Sequence, residues 1–188
     1  MTAPDVFQRV VQALDAAGIP YMLTGSFASA YHAVPRATQD IDLVIAPTRE
    51  QVARLARAFP APAYYCDPDA AMEAFEQESL FNVVDLATGW KIDFIIRKSR
   101  EYSRTEFARR QHADFEGLGL YIAAAEDVLL SKLEWAKLGG SERQIEDAAW
   151  LLRRRGEELD RAYLERWVEQ LQVGDQWEAA RHLAARLP

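Results

Sequence analysis

The sequence predicts an α+β protein in which a small mixed β-sheet flanked by helices is followed by a C-terminal helical bundle. Three observations lead to this fold class. β-rich runs alternate with helical patterns up to about residue 122, and the later patterns are helical only. Two apolar runs, 80–86 and 90–96, are joined by Ala87-Thr88-Gly89, which is typical of a hairpin. We therefore expect an α/β core over residues 1–122 and a helical domain over 123–188 packed on it.

Each element of the first part follows from apolar spacing or from residues that start and stop helices. Apolar residues recur at helical spacing over 5–17, and Gly18 ends that pattern. Thr48-Arg-Glu-Gln51 is a capping box, and Asp67-Pro68 is a cap followed by a first helical residue. The predicted elements are a helix over 5–17, a strand over 19–24, a short helix before Pro35, a strand over 39–45, a helix over 48–59, a strand over 63–66, a helix over 67–77, strands over 80–86 and 90–96, and an extended segment over 114–122.

The second part consists of helical patterns separated by short breaks. The run AEDVLLSKLEWAK predicts a helix after residue 124, and Ser141-Glu-Arg-Gln144 reads as a second capping box before a helix to residue 155. Two further helices are predicted over 160–171 and 175–186.

Composition excludes several classes of protein. The formal charge of −7 argues against a surface built for general nucleic-acid binding. No apolar run reaches the roughly 20 residues that span a bilayer, and the first residues lack a signal-peptide pattern. With one cysteine, Cys66, no internal disulfide forms, so we expect a cytoplasmic protein without membrane partners. Two basic runs, 97–110 and 153–155, are typical of solvated helix faces; for the first run, a polyanion-binding site is the alternative.

Two aspartates stand out in the strand over 39–45. Asp40 and Asp42 alternate with apolar residues, so both carboxylates project from one face while Ile41, Leu43 and Ile45 point into a core. Two like charges about 5 Å apart repel by roughly 3 kcal/mol at an effective dielectric near 20. Such a pair needs a neutralising cation, and Mg²⁺ is the usual one.

Two further features extend this pair to a possible nucleotide site. Gly25 and Ser26 follow a buried strand at a helix start, where backbone N–H groups and a hydroxyl suit a phosphate. Ser26 as a plain helix cap is the alternative. Asp93, on the strand face that carries Lys91, supplies a third carboxylate; Asp85 is a weaker candidate because it lies close to the turn. Three carboxylates with a phosphate cradle indicate phosphoryl or nucleotidyl transfer.

These residues resemble the DNA polymerase β-like nucleotidyltransferase superfamily. The shared pattern is Gly-Ser, a gap, an Asp-x-Asp strand and a later strand with one Asp. The segment AEDVLLSKLEWAKLGGSERQIEDAAWLL is similar to that of the branch related to abortive-infection type IV toxins. The resemblance covers about residues 19–155 and implies the nucleotidyltransferase fold.

The resemblance also implies roles for individual residues. Gly25 and Ser26 would hold the triphosphate of an NTP. Asp40 and Asp42 would bind Mg²⁺, as two ions, with Asp93 as the third ligand or the base. Lys132 would reach a phosphate, and Asp147 would orient the nucleotide or acceptor. Without the resemblance, Lys132 reads equally as a lysine extending from a helix face, and Asp147 as an i,i+4 partner of Arg143.

The expected activity is transfer of a nucleoside monophosphate from an NTP to a hydroxyl acceptor. The resemblance implies a tRNA end, a protein side chain or a small molecule such as an aminoglycoside as acceptor, and a toxin with a cognate antitoxin as one setting. The alternative is a non-catalytic relative that binds a nucleotide or a partner protein for regulation.

Overall fold

A computed structural model describes residues 3–35, 37–115 and 117–188. It confirms the predicted α+β fold class, with a mixed sheet and a helical C-terminal part. The strands in the described ranges are β1 Tyr21–Leu23, β2 Asp40–Ile45, β3 Tyr64–Cys66, β4 Leu80–Asp85, β5 Lys91–Ile96, β6 Gln111–Phe115 and β7 Leu118–Ile122. The helices are α1 Ala3–Ala17, α2 Gly25–His32, α3 Arg49–Arg57, α4 Pro68–Glu76, α5 Glu101–Ala108, α6 Ala125–Gly139, α7 Glu142–Arg155, α8 Arg161–Gln170 and α9 Gly174–Ala184.

The chain forms two compact units. The first comprises Met1–Thr24 and Ala37–Ile122, and the second comprises Gly25–Arg36 and Ala123–Pro188. Helix α2 therefore groups with the C-terminal helices, whereas the division drawn from sequence kept it with the sheet. No helix in the described ranges combines the length and apolar character that a membrane-crossing helix needs.

All described strands of the first unit belong to one mixed sheet. Its order is β3-β4-β5-β2-β1-β7-β6. The β2/β5 and β1/β7 pairs are parallel, and the other neighbours are antiparallel. The centre of the sheet is fixed by apolar residues that alternate with polar ones, and Phe94 on β5 packs against the rings of Phe59 and Phe81. Because side chains alternate with period two, this packing leaves the opposite face of β5 and β2 to polar residues.

The second unit is helical and is held by contacts of α6 with α2, α7 and α8, and of α7 with α9. Its interior contains many small and aliphatic side chains, among them Leu129 and Leu133 of α6 and Ala148 and Leu151 of α7. Helix α6 ends at Gly140, whose φ of +59° lies in the left-handed region that glycine adopts without strain.

The predicted helices and strands are mostly confirmed, with three differences. The capping box of Thr48 is present, and Asp67 caps α4 through its carboxylate. The prediction of a second capping box is wrong. Ser141 precedes α7, but the Gln144 N–H donates to the Ser141 backbone carbonyl, so it is not available to the Ser141 hydroxyl. The basic run 97–110 contains helix α5, which the sequence reading did not include. The single extended segment predicted over 114–122 is instead part of the antiparallel pair of β6 and β7.

Candidate active site

The predicted metal-binding aspartates lie on two neighbouring parallel strands of the first unit. In the register of β2 with β5, Asp40 is opposite Lys91 and Asp42 is opposite Asp93. Side chains at paired positions of neighbouring strands project from the same face of the sheet. The structure therefore brings Asp40, Asp42 and Asp93 together on one face, with Lys91 among them.

The apolar residues of these strands hold this arrangement in register. Ile41, Leu43 and Ile45 of β2 are buried on the other face, as predicted, and Ile92 and Phe94 of β5 are buried beside them. A slip of one residue would turn the aspartates into the core and the isoleucines outward. The hydrophobic pattern of DIDLVI and KIDFII thus places the carboxylates opposite one another.

Lys91 supplies the positive charge that the aspartates require in this structure. Its Nζ donates a hydrogen bond to Asp93 Oδ2 at 2.8 Å and lies 3.7 Å from Asp40 Oδ1. The hydrogen bond to Asp93 raises the pKa of Lys91; burial opposes this, and the charges of Asp93, Asp40 and Asp42 reinforce it. Three carboxylates and one ammonium leave two formal negative charges on this face.

The second carboxylate oxygen of Asp93 is in a different environment. The Asp93 side chain is 14% exposed, and its Oδ1 is buried without a hydrogen-bond donor among the described residues. A buried anionic oxygen without a donor is costly unless a cation or a proton is supplied. This oxygen is where a ligand or a proton would bring most stabilisation.

The residues present fit Mg²⁺. Within the described part of the chain, no group of three or more His, Cys, Asp or Glu side chains is arranged to hold a metal ion by itself. Mg²⁺, however, is usually bound by one or two carboxylates together with substrate phosphates and water. The neighbouring carboxylates of Asp42 and Asp93 provide that set of hard oxygen donors.

Asp85, the competing candidate for the third carboxylate, has a structural role. It faces the buried side of β4 and accepts hydrogen bonds from Arg9, at 2.6 Å, and from the backbone N–H groups of Ala87 and Thr88. Burial by itself raises the pKa of Asp85, but these hydrogen bonds and the Arg9 charge outweigh it, so the pKa is lowered. Asp85 therefore fixes the β4–β5 turn to α1 and is separated by the sheet from Asp93.

The predicted nucleotide-binding residues all belong to the second unit. Gly25 begins α2 with a φ of +64°, a conformation that favours glycine, and Ser26 follows in the first turn. Lys132 of α6 and Asp147 of α7 form an ion pair with a distance of 2.7 Å between Nζ and Oδ2. Their side chains are 4% and 10% exposed, so the pair is buried inside the helical unit.

The buried histidine of this unit is part of its interior. His32 Nε2 is 2.8 Å from the Ala123 carbonyl oxygen. Burial lowers the pKa of His32, the hydrogen bond to Ala123 opposes this, Arg155 lowers the pKa further and Glu126 raises it. These contacts hold His32 in the interior of the second unit.

The basic run 97–110 is partly used for packing. The guanidinium of Arg110 lies over the Phe107 ring at 4.4 Å and that of Arg97 over the same ring at 5.5 Å. Stacked arginines of this kind bury their side-chain stems while they keep their charge. Arg97 and Arg110, which flank α5, therefore pack on this helix through Phe107.

Lys91 belongs to the charged cluster of Asp40 and Asp93, but the sequence pattern did not select it as a candidate site residue. Its position two residues before Asp93 already put it on the carboxylate face, and period-two alternation alone was a sufficient signal. Its approach to Asp40 was not accessible from sequence, because that contact depends on the parallel pairing of β2 with β5.

Comparison with known proteins gives matches in structure only. The sequence matches no protein-family model, and no curated protein matches it at a significant level. The solution structure of the antibiotic-resistance factor ANT(2'')-Ia is similar with a TM-score of 0.56 at 14% identity, covering 97% of both chains. The crystal structure of ANT(2")-Ia in complex with adenylyl-2"-tobramycin has a TM-score of 0.53 at 13% identity, covering 89% of this chain and 95% of that one.

A third similar structure is that of an antigenic nucleotidyltransferase-like protein from Paracoccidioides brasiliensis. Its TM-score is 0.50 at 17% identity, and the match covers 93% of this chain and 91% of that one. At these identities the likeness concerns the fold. The chain has a nucleotidyltransferase-like fold over nearly its whole length.

Proposed function

We propose that this protein is a Mg²⁺-dependent nucleotidyltransferase that moves a nucleoside monophosphate from an NTP to a hydroxyl acceptor. The observation that carries the proposal is the pairing of Asp42 with Asp93 on parallel strands, with Asp40 on the same face. A nucleotidyltransferase-like fold in proteins of similar structure supports it. Carboxylates at adjacent positions repel one another, and a bound divalent cation offsets this repulsion.

In the proposed reaction the acceptor oxygen forms a bond to the α-phosphorus of the NTP. The bond from that phosphorus to the oxygen bridging to the β-phosphate breaks, so the products are the nucleotidylated acceptor and pyrophosphate. Bound Mg²⁺ supplies a Lewis acid that neutralises charge developing on the phosphate oxygens. The proton of the acceptor hydroxyl leaves to a base.

The carboxylates of this chain serve that reaction in two ways. Asp40 and Asp42 provide oxygen ligands for the divalent ion. Asp93 acts as a third ligand or as the base, and its Oδ1 is buried without a donor among the described residues. The negative charge of the three carboxylates makes the cation necessary.

The proposal includes the nucleotide-binding roles that the sequence resemblance implies. Gly25 and Ser26 bind the triphosphate, Lys132 reaches a phosphate, and Asp147 orients the nucleotide or the acceptor. In the structure Lys132 and Asp147 bind each other and are nearly buried, so these two roles require the pair to open when the nucleotide binds. All four residues lie in the second unit.

The acceptor carries a hydroxyl group and belongs to one of three classes. A tRNA end and a protein side chain follow from the resemblance to the toxin branch, where a cognate antitoxin would be the partner. An aminoglycoside is the third class, supported by the adenylyl-2"-tobramycin bound to ANT(2")-Ia. A single assay with three acceptor mixtures separates them.

The test is transfer of label from each α-³²P-labelled NTP with Mg²⁺ to total RNA, to a protein lysate or to an aminoglycoside panel. We expect one acceptor class to be labelled, and the double variant Asp40→Asn plus Asp42→Asn to reduce the rate by at least about 100-fold. Asp69→Asn, an exposed aspartate of α4, is the matched control and keeps full activity. Undiminished labelling by the double variant would refute the mechanism.

The alternative is a non-catalytic protein that binds a nucleotide for regulation, and one observation favours it. The Lys91 ammonium neutralises part of the carboxylate cluster without a metal. Calorimetry separates the two functions: nucleotide binding that needs no divalent ion, together with no transfer to any acceptor class, would favour the regulatory one.

A further inference from the structure

We propose that Lys91 is the built-in counter-ion of the carboxylate face and that a divalent cation binds to Asp93 only after displacing the Lys91 ammonium. This inference rests on the proposed function for the identity of the cation site. It goes further in assigning Lys91 control over how tightly and when that site accepts the ion.

Both carboxylate oxygens of Asp93 are shielded from ions in solution. Its Oδ2 accepts the Lys91 hydrogen bond at 2.8 Å, and its Oδ1 is buried from solvent. Neither oxygen is therefore offered to an ion that arrives from solution. Movement of the Lys91 side chain exposes Oδ2 and opens the way to the carboxylate.

The Lys91 ammonium can leave Asp93 at modest cost in free energy. Its side chain is 39% exposed, so the ammonium keeps part of its hydration, and ion pairs of this kind contribute little to stability. The Asp40 carboxylate is 55% exposed and lies 3.7 Å from Nζ, which is too far for a hydrogen bond, so it adds little to what holds the ammonium in place. A fully buried lysine would have no water to replace its hydrogen bond.

Lys91 has opposite effects on the protein with and without metal. Without metal, the ammonium offsets repulsion among three carboxylates on adjacent positions. With metal, the same charge competes with the ion for Asp93. Replacing Lys91 should therefore weaken the metal-free protein and tighten cation binding, a combination that a purely structural salt bridge does not produce.

The experiment is calorimetric titration with Mn²⁺ and with Mg²⁺ alone, without nucleotide or acceptor, combined with thermal unfolding in EDTA and in excess Mg²⁺. We expect Lys91→Met to bind Mn²⁺ at least tenfold more tightly than the wild type. We also expect its Tm to lie below that of the wild type in EDTA and to rise more on addition of Mg²⁺.

Lys98→Met is the matched control, because it removes the same charge from an exposed lysine beyond the other end of β5. Seven residues of extended chain put it about 20 Å from Lys91, outside the Debye length at physiological salt. Its Mn²⁺ affinity should stay within twofold of the wild type. An equal gain in Lys98→Met, or no gain in Lys91→Met, would overturn the inference.

A second measurement on the wild type does not depend on the folding of any variant. The chain has four lysines, 91, 98, 132 and 137, so the ¹³Cε-lysine NMR spectrum is simple to assign. We expect the Lys91 signal to shift on saturation with Mg²⁺ while that of Lys98 stays in place. A Lys91 signal that does not move at saturating Mg²⁺ would overturn the inference. Label transfer is measured separately, so failure of the proposed function and failure of this inference are distinguishable.

Discussion

The buried ion pair between Lys132 and Asp147 gives a quantitative prediction for the second unit. Lys132→Met keeps most of the side-chain volume and removes the charge 2.7 Å from Asp147 Oδ2. At an effective dielectric of 20 the attraction over that distance is about 6 kcal/mol, part of which is offset by the cost of burying both charges. Removal of one partner from such a pair costs about 3–5 kcal/mol, because the other charge stays buried.

The assay is urea unfolding followed by tryptophan fluorescence. Trp135, Trp150, Trp167 and Trp177 lie in the second unit and only Trp90 lies in the first, so the signal reports mainly on the helices. We expect Lys132→Met to lower the free energy of unfolding by about 3–5 kcal/mol and the Tm by roughly 6–20 °C. Lys137→Met, exposed on the same helix, should cost less than about 1 kcal/mol.

The double variant Lys132→Met plus Asp147→Leu separates electrostatics from packing. Replacement of both charges by apolar groups of similar size is often neutral, so the double variant should unfold near the wild type. A loss below about 1 kcal/mol in Lys132→Met, or a double variant weaker than either single one, would refute the reasoning.

Three further predictions concern stability. Thr48→Ala removes the hydroxyl that caps α3 and should lower the free energy of unfolding by about 1 kcal/mol, measured by urea unfolding; no change would contradict the capping box. Asp85→Asn removes the charge that Arg9 binds and should lower the free energy of unfolding by about 2 kcal/mol at pH 7, measured by thermal unfolding. The difference from the wild type should shrink as the pH falls below about 4. The pKa of Asp85 is lowered in the folded state, so its contribution to stability is lost when the carboxylate is protonated. Burial lowers the pKa of His32 below its unfolded value near 6.5, so below about pH 6.5 the unfolded chain binds more protons than the folded one and stability decreases. His32→Gln should flatten this pH dependence. Urea unfolding of both proteins at pH 5 and pH 7 measures it.

The central strands of the sheet were predictable because the alternation of apolar and polar residues shows which side chains face the core. In DIDLVI and KIDFII at least every second residue is apolar, and this alternation is enough to locate both strands and to assign Asp40, Asp42 and Asp93 to the polar face. The helix caps at Thr48 and Asp67 were equally predictable from sequence, since each uses residues within three positions of the helix start.

Features that depend on contacts distant in the chain were not predictable. Helix α5 was missed because it is short and buries only two large side chains, Tyr102 and Phe107, so its apolar spacing is weak. The membership of α2 in the helical unit depends on its packing with α6 and α7, about 100 residues away. The same holds for the partner of Asp147: sequence spacing suggested Arg143 on the same helix, whereas the structure pairs it with Lys132 on the preceding one.

The central claim is that the carboxylates of Asp40 and Asp42, with Asp93 as the third ligand, hold the divalent ion used for nucleotidyl transfer. The most direct measurement is a crystal structure with Mn²⁺ and a non-hydrolysable NTP, in which anomalous scattering locates the ion. We predict an ion bound by carboxylate oxygens of both Asp42 and Asp93, with Lys91 Nζ moved away from Asp93 Oδ2. An ion bound elsewhere, with the 2.8 Å contact between Lys91 and Asp93 intact, would contradict the claim.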